Sequence, residues 1–340
     1  MYAILRLTGV KSRLLGSRQV VLASLIVILL LTSLITMPAW GQEPHVVKVT
    51  DDVYALVGNT GRLTPDNRGR VANAGFIVGS SGVIVIDSGV SYRHGKQLLK
   101  AIRSVTDRPV KVVILTHAAR EFVFGAGAFD EIGATIAAHR KTRELMKARC
   151  TQCLKQLHEQ LGDEMKGTRL VLPRYLIDAS THIDSAGTDL EVLYFGWAAT
   201  PGSVAVFHRS SGTLFAGGLV SAGHVPAIRD CYYEGWQAAL AQLIDLPVEH
   251  VVPGYGPPSG MESIRATAHY LDALDARSRE LYEQSASLLE AMDSAALLEF
   301  ANWHAYDPNH RRNALHRRLQ LEIEDLGGDP RSTALPESNL

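Results

Sequence analysis

The chain has 340 residues, 46% hydrophobic and 20% charged, a composition typical of a globular protein with one large domain or two modest ones. Lys and Arg total 34 against 35 for Asp and Glu, which excludes the strong positive field that nucleic-acid binding needs. Three cysteines are too few for a disulfide-dense secreted scaffold.

The N-terminus has the pattern of a targeting segment. Residues 1–19 contain basic residues and no acid, residues 20–37 form an apolar run, and Pro38–Gln42 supplies small residues suited to a signal peptidase. This pattern predicts that residues 1–41 are either a cleaved signal peptide or an uncleaved membrane anchor through residues 20–37. Both alternatives predict a periplasmic or otherwise exported protein, secreted across the inner membrane or anchored to it.

Short β-rich runs dominate the region after residue 45. Turn-forming residues at Asp51–Asp52 and Gly79–Gly82 separate these runs and indicate paired strands. Apolar residues at helical spacing over 98–105, followed by a continuous apolar run, predict a β-helix-β unit. The predicted strands are 46–50, 53–57, 75–78, 83–86 and 110–115.

A charged helix is predicted over residues 140–161, and a second sheet is predicted to begin at residue 190. Pro201–Gly202 and Ser211–Gly212 separate the strands of this second sheet. Proline and glycine in Pro253–Pro257 predict a rigid turn that blocks both helix and strand. The predicted strands are 190–194, 204–207, 213–216 and 250–252, and the predicted helices are 236–243, 261–284, 286–301 and 309–324.

Four short motifs occur in order along this region. Thr116–His117 follows a buried strand, Ala199–Gly202 precedes another, Leu214–Gly218 ends a third, and Val252–Pro257 ends a fourth. In this order they resemble the metallo-β-lactamase superfamily. The resemblance implies an α/β fold for residues 45–260, an αββα sandwich with two face-to-face sheets and helices outside.

Residues 261–325 are predicted to form a C-terminal helical extension, and residues 326–340 a flexible tail. Motifs in the extension resemble an exported branch of the superfamily, the quinoprotein relay system zinc metallohydrolases. That resemblance implies a place in a periplasmic system linked to quinoproteins and their cofactor PQQ. The motifs are Asn302–Trp303, Tyr306–Asp307, Asn313 and Leu319–Glu322.

The superfamily holds zinc with a His-x-His-x-Asp-His motif after the buried strand and with three further ligands. The corresponding stretch here is His117-Ala118-Ala119-Arg120-Glu121-Phe122. Alanine, glycine and phenylalanine have no lone pair for a metal, and tyrosine ligates only as a phenolate. Because a catalytic zinc needs three protein ligands and a water, we expect no zinc cofactor. The seven family ligand positions are His117, Ala119, Glu121, Phe122, Ala199, Gly218 and Tyr255.

Two interpretations of these positions stay open. One is a residual or relocated mononuclear metal site formed by His117, Glu121 and His224, which would retain hydrolase activity. The other is a pocket without metal, in which His117 has a structural or binding role and aromatic side chains such as Phe122 and Tyr255 either fill the space or bind a small aromatic ligand. No motif places a nucleophilic Ser or Cys beside His117, so acid–base catalysis is not favoured.

Asp87 lies in the turn Ile-Asp-Ser-Gly at the end of a predicted strand. Its carboxylate can accept hydrogen bonds from N–H groups of the turn that follows. Asp87 is therefore predicted to cap the strand end and not to act as a catalytic base.

Cys150 and Cys153 are spaced three apart in the predicted charged helix. At this spacing the two Cβ atoms are close enough for a bridge after modest adjustment, and an exported location favours oxidation. The interpretations, in order of preference, are a structural disulfide, free thiols and thioredoxin-like redox activity. Cys231 is predicted to be buried or to be a third, unpaired thiol.

Three functions from different classes follow. The preferred one is a non-catalytic binding or accessory protein with the metallo-β-lactamase fold, whose partner is a small molecule or a periplasmic protein and not nucleic acid. The second is a hydrolase of the same superfamily with a rebuilt metal site. The third is a thiol-redox protein that uses Cys150 and Cys153.

Overall fold

The computed structural model of the protein describes residues 45–333, which form two β-sheets packed between layers of helices. The predictions for residues 1–41, a signal peptide or an anchor, lie outside the described residues, as does the tail after residue 333. Within residues 45–333 no helix combines the length and the apolar character needed to cross a membrane.

The first sheet has seven strands in the order β1-β2-β3-β4-β5-β6-β7. Its first four strands pair antiparallel, and the pairs from β4 to β7 are parallel. Its strands are β1 (His45–Lys48), β2 (Val53–Val57), β3 (Ala74–Val78), β4 (Val83–Ile86), β5 (Val110–Leu115), β6 (Thr135–His139) and β7 (Tyr175–Ile177).

The second sheet has five strands in the order β12-β11-β10-β9-β8. Only the β11–β12 pair is parallel. Its strands are β8 (Thr181–Ser185), β9 (Thr188–Tyr194), β10 (Val204–His208), β11 (Thr213–Ser221) and β12 (His250–Tyr255).

Helices cover the outer faces of both sheets. α1 and α4 pack on the first sheet, α5 and α6 pack on the second, and α8 packs on α6 and α7. The helices are α1 (Tyr92–Val105), α2 (Arg120–Val123), α3 (Ala126–Asp130), α4 (Arg140–Leu161), α5 (Tyr233–Ile244), α6 (Met261–Glu283), α7 (Leu288–Ser294) and α8 (Tyr306–Asp325). The predicted αββα sandwich and its C-terminal helical extension are confirmed.

Alternation along the strands produces the three-layer core. In β10, Val206 faces the space between the sheets, whereas Phe207 faces the helices on the second sheet. In β3, Ile77 faces between the sheets and Phe76 faces α1 and α4. Successive strand residues point to opposite faces, so a strand covered on both sides is apolar at every position.

Three predictions about elements are wrong. β12 continues through Pro253 to Tyr255 where a turn was expected, because β12 is an edge strand and proline is tolerated there. The helix predicted over 286–301 ends at Ser294, and the N–H of Leu297 donates to the Tyr306 hydroxyl at 2.7 Å instead of continuing a helix. Strands β6, β7 and β8 were not predicted, and the second sheet begins at β8.

Polar contacts hold the C-terminal extension against the sandwich. His224 and His304 form an isolated parallel bridge, and the Asn313 side chain donates to the Pro226 carbonyl at 2.7 Å. Arg317 is fully buried and pairs with Glu234 of α5 at 3.4 Å, and within the extension with Asp275 at 2.7 Å. Residues 330–333, within the tail predicted from residue 326, form a short 3-10 helix.

Candidate functional site

The site lies where neighbouring strands of both sheets end. β4 and β5 are parallel, so their carboxyl ends meet at one edge and bring Asp87 beside Thr116 and His117. The carbonyl of Thr116 accepts the N–H of Val204 at 2.9 Å, which joins this edge to β10 of the second sheet. The sequence pattern that ends each buried strand with a polar residue thus places these groups together.

Asp87 is hydrogen-bonded to Thr116 and not to the turn that follows it. Its carboxylate accepts the Thr116 N–H at 2.8 Å and the Thr116 hydroxyl at 2.8 Å. The N–H groups of Ser88 and Gly89 donate to the carbonyl of Phe122. The prediction that Asp87 caps the following turn is therefore wrong in its partner, and the carboxylate ties β4 to β5. Burial raises the pKa of Asp87 to about 7, against the opposing effect of the Thr116 hydrogen bonds.

His117 is held at the end of this hydrogen-bonded series. Its Nδ1 lies 2.9 Å from the Thr116 hydroxyl oxygen. With Asp87 ionised, the single hydroxyl proton of Thr116 goes to the carboxylate, and His117 donates its Nδ1–H to the hydroxyl. Only 4% of His117 is exposed, and burial lowers its pKa to about 4, so the imidazole is neutral near pH 7.

The His117 ring lies in the space that a side chain at position 218 would need. A Cβ on Gly218 would lie 2.7 Å from Nε2 of His117 and 2.9 Å from its Cδ2. Contacts this close to the ring leave no room for a carboxylate at 218. Glycine stands at position 218 where the family has a ligand. The absence of a side chain there and the inward position of the His117 ring therefore depend on each other.

Aromatic rings fill the space beyond His117. Phe122 is fully buried, and its ring centroid lies 4.3 Å from that of His117 and 5.4 Å from that of Tyr255. Tyr255 in turn stacks on His224 with 4.5 Å between centroids. Burial raises the pKa of Tyr255 well above its usual range, with a further increase from the charge of Glu121, so its hydroxyl remains a neutral phenol.

The remaining family ligand positions contribute little polar character. Ala119 packs against the core of the first sheet, and Ala199 is buried in the core on the outer side of the second. Glu121 forms an ion pair with Arg120, with 3.5 Å between Glu121 Oε1 and Arg120 Nε. Its charge is thus offset by its neighbour in the chain.

The donor set does not fit a catalytic zinc. Among the described residues, no three His, Cys, Asp or Glu side chains are close enough together to hold a metal ion. His117, Glu121 and His224, brought into one region by the fold, do not form such a group. A catalytic zinc is normally held by three protein ligands, and the Tyr255 phenol adds none near neutral pH.

His224 retains one unusual feature. Only 6% of it is exposed, and within residues 45–333 its Nδ1 has no hydrogen-bond partner. Burial lowers its pKa to about 4. The residue is therefore a buried neutral imidazole that stacks on Tyr255, as expected for a side chain that reaches this region from the end of β11.

The three cysteines do not stand at family ligand positions. In the described part of the chain Cys150, Cys153 and Cys231 are all buried and none forms a disulfide, so the preferred interpretation of a Cys150–Cys153 disulfide does not describe this structure. Cys150 and Cys153 face the core from consecutive turns of α4, where they pack as small apolar side chains.

Two residues that organise the site were given no role in the sequence analysis, where Thr116 appears only as part of a motif. Thr116 joins Asp87 to His117, and Asn73 donates to the carbonyls of Pro253 at 2.8 Å and Gly256 at 2.7 Å. Asn73 thereby fixes the end of β12 against β3. The signal available in the sequence was the position of Asn73, a polar residue directly before the apolar strand β3. That position does not indicate which groups its side chain contacts.

Comparisons with known proteins agree with this geometry. The sequence pattern of the Metallo-beta-lactamase superfamily matches residues 67–255. A metallo-beta-lactamase type 2 from Bacillus sp. (strain 170) is 25% identical over 201 residues, which cover 58% of this chain and 68% of that protein.

Solved structures share the fold. A metallo-beta-lactamase from Pontibacter korlensis is 22% identical with a TM-score of 0.55, and the match covers 67% of this chain and 99% of the other. A metallo beta lactamase from Hirschia baltica is 18% identical with a TM-score of 0.55, and the match covers 68% of this chain and 98% of the other.

Proposed function

The chain belongs to the metallo-beta-lactamase superfamily, and from this premise we propose that it is an exported, non-catalytic member that works as a binding or accessory protein. The observation that carries the proposal is the position of His117. The one family ligand histidine left in the chain is turned into the core beside Gly218, where its neighbours are Thr116 and Phe122.

Hydrolysis in this superfamily depends on a metal-bound water. Three protein ligands hold a catalytic zinc, which lowers the pKa of its water from 15.7 to about 7. Here Ala119, Phe122, Ala199 and Gly218 supply no donor atom, and burial keeps Tyr255 protonated. The fold is thus retained by its packing while the groups that would activate water are replaced by apolar ones.

Export and a quinoprotein partner belong to the same proposal. The basic and apolar segments at residues 1–19 and 20–37 support transport out of the cytoplasm or anchoring in the membrane. The motifs around Trp303 and Asn313 support a place in a periplasmic system linked to quinoproteins. In the structure Asn313 is buried against the sandwich, so these motifs also serve to hold the extension in place.

Two other functions are less well supported. A hydrolase with a rebuilt site would use His117, Glu121 and His224, and the unpaired Nδ1 of His224 is the observation in its favour. Thiol-redox activity needs an accessible thiolate, whereas Cys150 and Cys153 are buried in the core.

Hydrolysis assays in the presence of zinc test the proposal. The purified chain is incubated with a chromogenic β-lactam and with a thioester, beside the type 2 metallo-beta-lactamase of Bacillus sp. (strain 170) as the positive control. We expect no turnover above the buffer rate for this chain.

The contrary result is chelator-sensitive turnover that disappears in His117→Ala and persists in His182→Ala. His182 is the matched control because its side chain is 65% exposed and lies on β8, outside the family ligand positions. That result would establish the rebuilt metal site and refute the non-catalytic role.

A further inference from the structure

An open cavity of about 510 Å³ lies outside the family ligand positions. Three segments form it: the loop between β2 and β3, the first two turns of α1, and the 3-10 helix Gly162–Met165 that follows α4. A volume of this size matches the pockets that hold small molecules. The cavity therefore has room for a ligand of metabolite size.

Positive charge dominates the lining of this cavity. Four cationic side chains, those of Arg68, Arg70, Arg93 and Lys96, line it together with the two carboxylates of Asp163 and Glu164. The chain as a whole has a net charge of -1, so the excess of cations here is local. A local excess of cations around a cavity attracts anions.

Two of these cations have no anionic partner within residues 45–333. No carboxylate of the described residues forms an ion pair with Arg68 or Arg93, whereas Lys96 lies 3.8 Å from Glu131. Arg93 is exposed on the first turn of α1, and Arg68 is half-buried in the loop. Guanidinium groups bind carboxylates and phosphates through paired N–H donors, and both side chains are available for this.

The loop holds Arg68 in a fixed and unfavourable backbone conformation. Arg68 has a φ of +53°, in the left-handed region that side chains with a Cβ rarely adopt. The Asn67 side chain accepts the N–H of Thr64 at 3.0 Å and of Gly69 at 2.9 Å, and donates to the Arg62 carbonyl at 2.6 Å. Strained residues that their surroundings hold in place are common at ligand sites.

The wall of the cavity is a buried polar network. Arg70, 6% exposed, donates to Glu164 at 2.8 Å and to the Gln97 side chain, and Ser91 donates to the same Glu164 oxygen at 2.7 Å. The Nε of Arg70 has no hydrogen-bond partner in residues 45–333. The network fixes the α1 terminus against the loop, so the cationic side chains sit on a rigid support.

We propose that this cavity is a binding site for a small polyanionic molecule that carries phosphate or carboxylate groups, with Arg68 and Arg93 as its principal contacts. This inference goes beyond the proposed function and involves none of the family ligand positions. It gives the protein a ligand class defined by charge: at least two anionic groups, one for each of two guanidinium groups that different segments of the chain bring to the cavity.

Calorimetric titration of the purified chain with inorganic pyrophosphate and, separately, with citrate tests the proposal. We expect saturable binding of at least one anion that weakens as the salt concentration rises. Arg68→Gln and Arg93→Gln should each weaken that binding by at least about 10-fold, as expected for the loss of a charge-assisted hydrogen bond. Thermal unfolding of each variant confirms that the fold is intact.

The matched control is Arg265→Gln, which removes an exposed arginine on α6 outside the cavity. Tighter binding of pyrophosphate would identify a phosphate ligand, and tighter binding of citrate a polycarboxylate; either result supports the site. Failure of both anions to bind saturably would overturn the proposal. Equal weakening by Arg265→Gln would also overturn it, because the attraction would then come from charge over the whole surface.

Discussion

The substitution Gly218→Ala adds one methyl group directly against the His117 ring. The new Cβ would lie 2.7 Å from Nε2, 2.9 Å from Cδ2 and 3.0 Å from Cε1 of His117. The ring has little freedom to move away, because Nδ1 is bonded to Thr116 and Phe122 packs 4.3 Å away. The backbone of Gly218 has no positive φ, so alanine fits the strand and the clash alone decides the outcome.

Overpacking a well-filled core by a methylene costs about 1–3 kcal/mol. Glycine to alanine in a strand recovers about 0.5–1 kcal/mol of backbone entropy. We therefore expect Gly218→Ala to lower the free energy of unfolding by about 1–2 kcal/mol. In the His117→Ala background the ring is absent, so the same substitution should be neutral or stabilising. The backbone-entropy gain is common to both backgrounds and cancels, so the coupling energy equals the overpacking cost of about 1–3 kcal/mol.

Urea unfolding of the wild type, both single variants and the double variant measures this coupling. Gly127→Ala is the matched control, since its new Cβ would lie 3.6 Å from the nearest atom and would cause no overpacking. Additive effects of Gly218→Ala and His117→Ala would show that the His117 ring does not occupy the space beside position 218. The explanation for the loss of the ligand carboxylate would then be wrong.

Three further predictions concern stability and thiol state. Arg317→Met removes a fully buried cation that pairs with carboxylates at 2.7 and 2.9 Å, and should lower the free energy of unfolding by about 3 kcal/mol in chemical denaturation. The control Arg279→Met removes a half-exposed arginine and should lower it by under about 1 kcal/mol. Equal losses would contradict the buried network. The pKa of Asp87 is raised in the fold to about 7, so the native state holds its proton where the unfolded state has lost it. The stability of the wild type relative to Asp87→Asn should therefore fall as the pH rises from about 4 to about 7, and a pH-independent difference would refute the assignment. Cys150 and Cys153 should react with iodoacetamide only after denaturation, as mass spectrometry would show. If they form a bridge, neither cysteine would react in the denatured protein without a reductant.

Periodicity was enough to predict most of the sandwich. The bounds of β2, β4, β5 and α4 agree with the structure to the residue, because the three strands are short apolar runs bounded by turn residues and the charged helix ends at Gly162. β7 has only three residues, Tyr-Leu-Ile, and β8 is mostly polar, so neither is long enough or apolar enough to show a strand pattern, and both exist through pairing with neighbours. Tertiary pairing also carries β12 through Pro253, where local propensity predicts a break.

The family ligand positions could be predicted from the sequence, but their arrangement could not. Motif order placed His117, Tyr255 and His224 in one region, and the ring contacts agree with that. The contact of His117 with Gly218 depends on two strands from different sheets, so no local pattern contains it. For the same reason Asp87 was assigned a partner next to it in the chain, whereas its partner Thr116 lies on the neighbouring strand.

The cavity beside α1 was missed because its cations come from separate segments. Arg68 and Arg70 lie in the loop before β3, and Arg93 and Lys96 lie on the helix that follows β4. None of these residues forms a charge run in the sequence. Only the fold brings them to one opening.

Native mass spectrometry of the purified chain with equimolar zinc, beside His117→Ala, is the most direct test of the claim that the fold persists with its metal ligands replaced. We expect that neither protein retains a stoichiometric zinc ion. A zinc ion that stays bound to the wild type and is lost in His117→Ala would contradict that claim.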